Sequence, residues 1–138
     1  MNLVTLHQGT GRFMVLALVL LAGMAHGGTE LTPQKYVDIR LNALALTVEG
    51  IQERLSRLRD DPYDDEDQRR VGQIVQAEVD RVFEDYGITK RAFLAYGADH
   101  EAEVEAWLEQ NPELARQLSQ LKERRSSLSK QIKALKEE

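Results

Sequence analysis

Pro33-Gln34-Lys35-Tyr36-Val37-Asp38-Ile39-Arg40-Leu41-Asn42-Ala43-Leu44-Ala45-Leu46-Thr47-Val48-Glu49-Gly50-Ile51-Gln52-Glu53-Arg54-Leu55-Ser56-Arg57-Leu58-Arg59 decides the fold of this chain. Val37, Leu41, Leu44, Val48, Ile51, Leu55 and Leu58 recur at alternating steps of four and three. That is an unbroken heptad stripe, and only an α-helix brings such residues onto one face. Thr32 before Pro33 is a start signal: the hydroxyl can cap, and proline suits the first helical position. The helix then spans roughly 40 Å at about 1.5 Å per residue. Tyr36, Ile39, Ala43, Ala45 and Leu46 widen the apolar surface of its first half, which predicts burial on several sides. The second half keeps the narrow stripe alone. Gly50 inside the helix costs about 1 kcal/mol against alanine and offers a close crossing or a bend.

After Arg59 the chain turns acidic. Asp60, Asp61, Asp64, Asp65, Glu66 and Asp67 surround Pro62, which stops the helix. Asp64 or Asp65 is placed to cap a second helix, whose acidic first turn suits its dipole. That helix carries Val71, Ile74, Val75, Val79, Val82, Phe83 and Tyr86 and stops at Gly87, a left-handed cap. A short third helix is predicted over Lys90 to Tyr96, ended by Gly97. A fourth, capped by Asp99, holds Val104, Trp107 and Leu108. Asn111-Pro112-Glu113 opens the last helix, which runs to about Lys136. Leu114, Leu118, Leu121, Leu128, Ile132 and Leu135 repeat the heptad, and Arg125 takes the remaining place in the stripe. The expected fold is all-α: two long heptad-patterned helices packed with three shorter ones as a bundle or hairpin. Whether the two seams pair within one chain or across a homodimer is open at this level. The basic stretch 122–138 has few apolar residues outside the stripe, so projection from the body is a further option.

Upstream, Arg12 precedes a continuously apolar run from Phe13 to Ala22, and small residues follow. Ala25 and Gly27 have the spacing of a signal peptidase site, so residues 1–27 read as a signal peptide, with cleavage after Ala25 the near alternative. The run breaks at Gly23 and His26, short of the roughly 20 apolar residues a membrane span needs; an uncleaved anchor is the competing reading. No cysteine offers a lipid attachment. The expectation is a periplasmic or secreted protein of a Gram-negative-type envelope. Residues 28–138 are then one helical domain by size. Without cysteine it folds by helix packing and not by disulfide staples.

Charge and chemistry narrow the function classes. Net charge is −5 and becomes one unit more negative if Arg12 leaves with the leader, which argues against general nucleic-acid binding. The acidic linker lacks the glycine and final glutamate at the spacing an EF-hand loop requires. His100 is the one histidine beyond the leader; with Glu103 or Asp99 it supplies fewer ligands than zinc sites use. Serine and cysteine triads lack their base. No catalytic, cofactor or metal residue is assigned. Tyr36, Phe83, Tyr86, Phe93, Tyr96 and Trp107 fall at helical spacing on apolar faces and read as core, with a small-ligand or metal pocket as the alternative.

The most suggestive feature is Lys122, Arg124, Arg125, Lys130, Lys133 and Lys136 against Glu123 alone. Such a helix can lie on an anionic membrane surface or grip an acidic partner. It can also pair with the chain's own acidic linker, or simply complement its helix C-terminus.

Two likenesses follow from quoted residues. Val82-Phe83-Glu84-Asp85-Tyr86-Gly87-Ile88-Thr89, then Phe93, then Asn111-Pro112-Glu113-Leu114, stand behind a long helix and an acid-rich break. From Tyr36 to Leu118 the chain resembles a bacterial family of exported helical domains of unknown function, and the likeness implies a fold but no activity. Leu31-Thr32-Pro33-Gln34 is similar to the Leu-Thr-x-x-Gln element of small periplasmic stress chaperones, with one residue fewer before the glutamine. That likeness implies an ATP-independent helical chaperone. The combined expectation is an exported, non-catalytic helical interaction protein, chaperone-like in action. A peripheral membrane-surface protein and a small-ligand or metal binder are the alternatives.

Overall fold

The structure is a computed structural model that describes residues 30–61 and 64–137. These residues form five α-helices: α1 (Pro33–Asp60), α2 (Asp65–Asp85), α3 (Lys90–Asp99), α4 (Glu101–Glu109) and α5 (Pro112–Glu137). There is no strand among them. The leader reading of residues 1–27 and the stop at Pro62 lie outside the described residues.

The helix ends follow local chemistry. The Thr32 hydroxyl accepts from the Lys35 amide at 3.2 Å, and Pro33 opens α1. Asp64, the nearer of the two acids considered, accepts from the Asp67 amide at 2.8 Å and caps α2. Gly87 ends α2 with φ of 68°. Its amide reaches the Glu84 carbonyl, and the Ile88 amide reaches the Phe83 carbonyl. This double closure needs a left-handed residue, and it brings Ile88 back onto Phe83 in the core. Thr89 caps α3 through the Ala92 amide.

Two boundaries differ from expectation. Gly97 does not end α3; the helix continues to Asp99, so Asp99 does not cap α4. His100 takes the junction between them, and its ring stacks on Tyr96 with centroids 4.3 Å apart. The reason lies in α1. A β-carbon at Gly97 would fall on the Tyr36 phenol ring, so this glycine serves close packing inside a helix. Asn111 also acts differently from a simple side-chain cap. Its amide nitrogen donates to the Trp107 carbonyl at 2.7 Å, closing α4, while its carbonyl takes the first bonds of α5.

α1 is the central helix: α2 and α5 both pack along it, and α3 and α4 also touch it. Arg124 donates to Gln52, and one heptad further along both helices Arg59 donates to Gln131. α1 and α5 therefore run parallel, with the seams aligned inside one chain. Val37, Val48, Leu55, Leu58, Leu118 and Leu128 are buried, and Leu41, Leu44, Ile51, Leu114, Leu121, Ile132 and Leu135 partly so. The stretch from Lys122 onward does not project. Leu128 is buried with Val48 and Leu55, and Leu121, Ile132 and Leu135 pack against them.

α2 returns antiparallel on a different face of α1. At the crossing, a β-carbon on Gly50 would collide with the Val75 methyls, so the glycine permits a close approach at a cost in helix propensity. Asn42 donates to the Tyr86 hydroxyl near the other end of the pair. The larger core lies where α3 and α4 join, around Tyr36, Val37, Ile39, Phe83, Ile88, Phe93, Val104 and Leu118.

Candidate interaction groove

α2 and α5 both lie on α1 but share no packed interface with each other. The space between them is filled at one end by α3 and α4. The row Tyr36, Arg40, Ala43, Thr47, Ile51, Arg54, Leu58 recurs at steps of four and three and so runs down one side of α1. α3 covers its start, where Tyr36 stacks on Phe93 at 4.5 Å and tilts against Tyr96 at 5.5 Å. Beyond that cover Arg40, Ala43, Thr47, Ile51 and Arg54 are partly buried, and Leu58 at the end of the row is buried. A hollow there is lined by Arg54 of α1, by Asp65, Gln68, Arg69 and Gly72 of α2, and by Lys136 of α5. Thr47 and Ile51, earlier on the same row, are only partly buried.

Gln68 is fixed in this groove. It is buried, accepts from Arg54 Nε at 3.3 Å and donates to the Arg54 carbonyl at 3.4 Å. On the other flank of the hairpin, Arg57 grips both oxygens of Asp67 at 2.7 and 2.9 Å and bonds Glu53 at 2.6 Å. Arg70 pairs with Asp67 as well. The Arg57 hydrogen bonds hold the Asp67 carboxyl below the usual carboxylate range, and Arg57 itself is held more firmly charged. Asp67 and Asp64 are thus engaged by arginines and by a helix start. No group of three or more histidine or acidic side chains able to hold a metal occurs among the described residues.

The six basic residues singled out in α5 are all exposed but do not form one patch. Arg124 bonds Gln52 on α1, and Lys133 pairs with Glu137 at 3.7 Å. Lys130 lies on the outer surface with Glu123, Ser126 and Ala134. Lys136 lines the groove. Lys122 stands two heptads before it on the same flank, and its pKa is lowered by the charge of Arg40 and then by partial burial. Arg125 occupies its seam position and is exposed. Arg54 and Arg69 line the hollow with Lys136, and Arg40 acts on Lys122, yet sequence reasoning missed all three. They lie on other helices, and only packing brings them alongside α5. Among the described residues, none of Arg40, Arg54, Arg69, Lys122, Arg125 and Lys136 has a carboxylate within ion-pair distance.

The aromatic residues pack on one another. Phe83 meets Phe93 edge-on at 5.3 Å, beside the Tyr36 stack. Burial raises the Tyr86 and Tyr96 hydroxyl pKa values. The apolar stripe of α5 is turned onto α1, which leaves its exposed surface polar. No described helix is long and apolar enough to cross a membrane.

Comparison with protein-family models, with curated proteins and with solved structures gives no match. The fold itself defines the class: an all-α bundle in which a central helix carries two long neighbours and a short helical pair.

Proposed function

We propose that this chain is an exported, non-catalytic helical interaction protein that works by contact, in a chaperone-like manner, through the groove between α2 and α5. One observation carries the reading: a polar hollow between α2 and α5, lined by Arg54, Arg69 and Lys136 beside Asp65 and Gln68, whose three cations have no carboxylate within ion-pair distance among the described residues. A surface whose cations are not neutralised within the molecule favours contact with a molecule of complementary charge. Export rests on the residues from Phe13 to Gly27. The likeness to exported helical domains and to small periplasmic chaperones points the same way.

The membrane-surface alternative is weaker on physical grounds. An interfacial helix inserts its apolar face into lipid, and that face of α5 is engaged by Val48 and Leu55. Lipid binding through it requires α5 to detach from α1. The ligand-pocket alternative has the same difficulty, because the aromatic residues contact each other at stacking distance.

The test is aggregation of a reduced client protein, followed by light scattering with increasing amounts of this chain. Suppression that weakens with added salt is the expected result. No suppression at stoichiometric excess removes the chaperone-like reading.

A further inference from the structure

We propose that the polar hollow between α2 and α5 binds the phosphate group of a phosphorylated polyol, a dianion held by Arg54, Arg69 and Lys136. This rests on the contact reading above, which uses the same hollow, and names the chemistry of what the hollow holds.

The two flanks of the α1 and α2 hairpin treat their arginines differently. On one flank Arg57 and Arg70 share Asp67, and Glu53 adds a second carboxylate to Arg57. On the other flank an acid stands close and is not used. Asp65 precedes Arg69 by one helical turn, a spacing that suits an ion pair. No such pair forms, although both residues line the hollow. Arg54 turns instead to a neutral amide. Its Nε donates to Gln68 at 3.3 Å, and the buried Gln68 donates back to the Arg54 carbonyl at 3.4 Å. This exchange fixes one edge of the guanidinium and leaves its charge uncompensated. The terminal nitrogens of Arg54 have no hydrogen-bond partner among the described residues. Lys136 of α5 brings a third cation from a third helix, while its neighbour Lys133 is taken by Glu137.

The balance of charge selects the ligand. Three cations beside one acid leave two positive charges. A phosphate monoester carries roughly 1.5 to 2 negative charges at neutral pH and three strong acceptor oxygens. Arginine forks grip phosphate oxygens in parallel pairs, and lysine adds a point charge. A single carboxylate brings one charge and two oxygens, which leaves a cation unmatched. The hollow has a volume of about 650 Å³. A β-carbon at Gly72 would meet nothing within 4 Å, so that wall is open. There is room for the phosphate and for part of the alcohol that it esterifies. Arg54, Asp65, Gln68, Arg69, Gly72 and Lys136 present no apolar side chain, which favours a hydroxylated alcohol over a greasy one. Asp65 can accept a hydrogen bond from such a hydroxyl. The same group occurs in free sugar and glycerol phosphates and in lipid headgroups that end in a phosphate monoester.

The probe is glycerol phosphate, followed by two-dimensional NMR of the protein at constant ionic strength, with glycerate as the carboxylate control. The Arg54 and Arg69 Nε–H signals and the Gly72 amide should shift saturably, with glycerate at least about fivefold weaker. Arg69→Gln and Lys136→Gln should each weaken binding by about fivefold or more. Asp65→Asn removes the one repelling charge and should tighten it by about twofold or more. Lys130→Gln makes a like change on the outer surface of α5 and should leave affinity within about twofold. Circular dichroism of each variant confirms the fold. Co-sedimentation with neutral vesicles doped with phosphatidic acid or phosphatidylglycerol separates the sources. A preference for phosphatidic acid that glycerol phosphate abolishes assigns a headgroup, and binding of glycerol phosphate without that preference assigns a free ester; either supports the proposal. No saturable shift at about 10 mM ester, equal binding of glycerate, equal loss with Lys130→Gln, or no gain with Asp65→Asn overturns it. Client protection without ester binding sinks this inference alone, and ester binding without client protection sinks only the chaperone-like reading.

Discussion

The phenol ring of Tyr36 lies across Gly97 so closely that no β-carbon fits between them. Both residues sit inside helices, α1 and α3, and the contact sets how deeply the short helical pair seats on the long one. Alanine is normally favoured over glycine inside a helix by about 1 kcal/mol. Overpacking costs about 1–3 kcal/mol, and here it should win. Gly97→Ala is therefore expected to lower the thermal midpoint. Gly72→Ala, in the interior of α2 with open space around its β-carbon, should raise it by the propensity gain of up to about 1 kcal/mol. Thermal melts of the two variants check the pair; a rise for Gly97→Ala would show that the ring moves aside at little cost.

The seam between α1 and α5 closes within one chain, and Leu128 is the best-buried α5 residue in it after Leu118. Leu128→Ala should cost about 2–5 kcal/mol, the usual range for a leucine truncated in a packed core. Urea unfolding at two protein concentrations well apart provides the measurement. The midpoint of the parent chain should not depend on concentration. A midpoint that climbs with concentration would mean that the seam is shared between copies.

Acid should weaken the hairpin of α1 and α2. Asp67 is held below its ordinary pKa by Arg57 and Arg70, so its ionised form favours the fold. The contribution is complete above the unfolded carboxylate value and disappears as pH falls through the lowered folded value. Glu113, lowered chiefly by Arg116, has the same sign. Asp38 has the opposite one: burial raises it, so protonation relieves a penalty there. The diagnostic quantity is the stability difference between the parent chain and Asp67→Asn, followed by urea titration from neutral pH downward. It should shrink below about pH 4. A difference that stays constant would show that Asp67 acts through shape and not through charge.

How much of this was legible beforehand follows from the range of the interactions. Thr32, the Asp64 or Asp65 start of α2, and Gly87 were readable because a cap bonds within a few residues of itself. The two heptad stripes were readable for the same reason, since periodicity is a property of a single helix. Gly97 was not. A glycine near a helix end has the same local signature whether it stops the helix or admits a ring from a distant helix, and Tyr36 decided it.

The amino-acid order by itself determined five helices, most of their ends and the apolar faces they had to bury, because those rest on backbone bonding and side-chain period. Only the tertiary structure decided that α5 lies parallel to α1 within the same chain, that the six cations of α5 divide among different surroundings, and that Arg54 and Arg69 share a hollow with Lys136. Those relationships join residues far apart in the chain. They depend on which stripes meet, and a stripe does not name its partner.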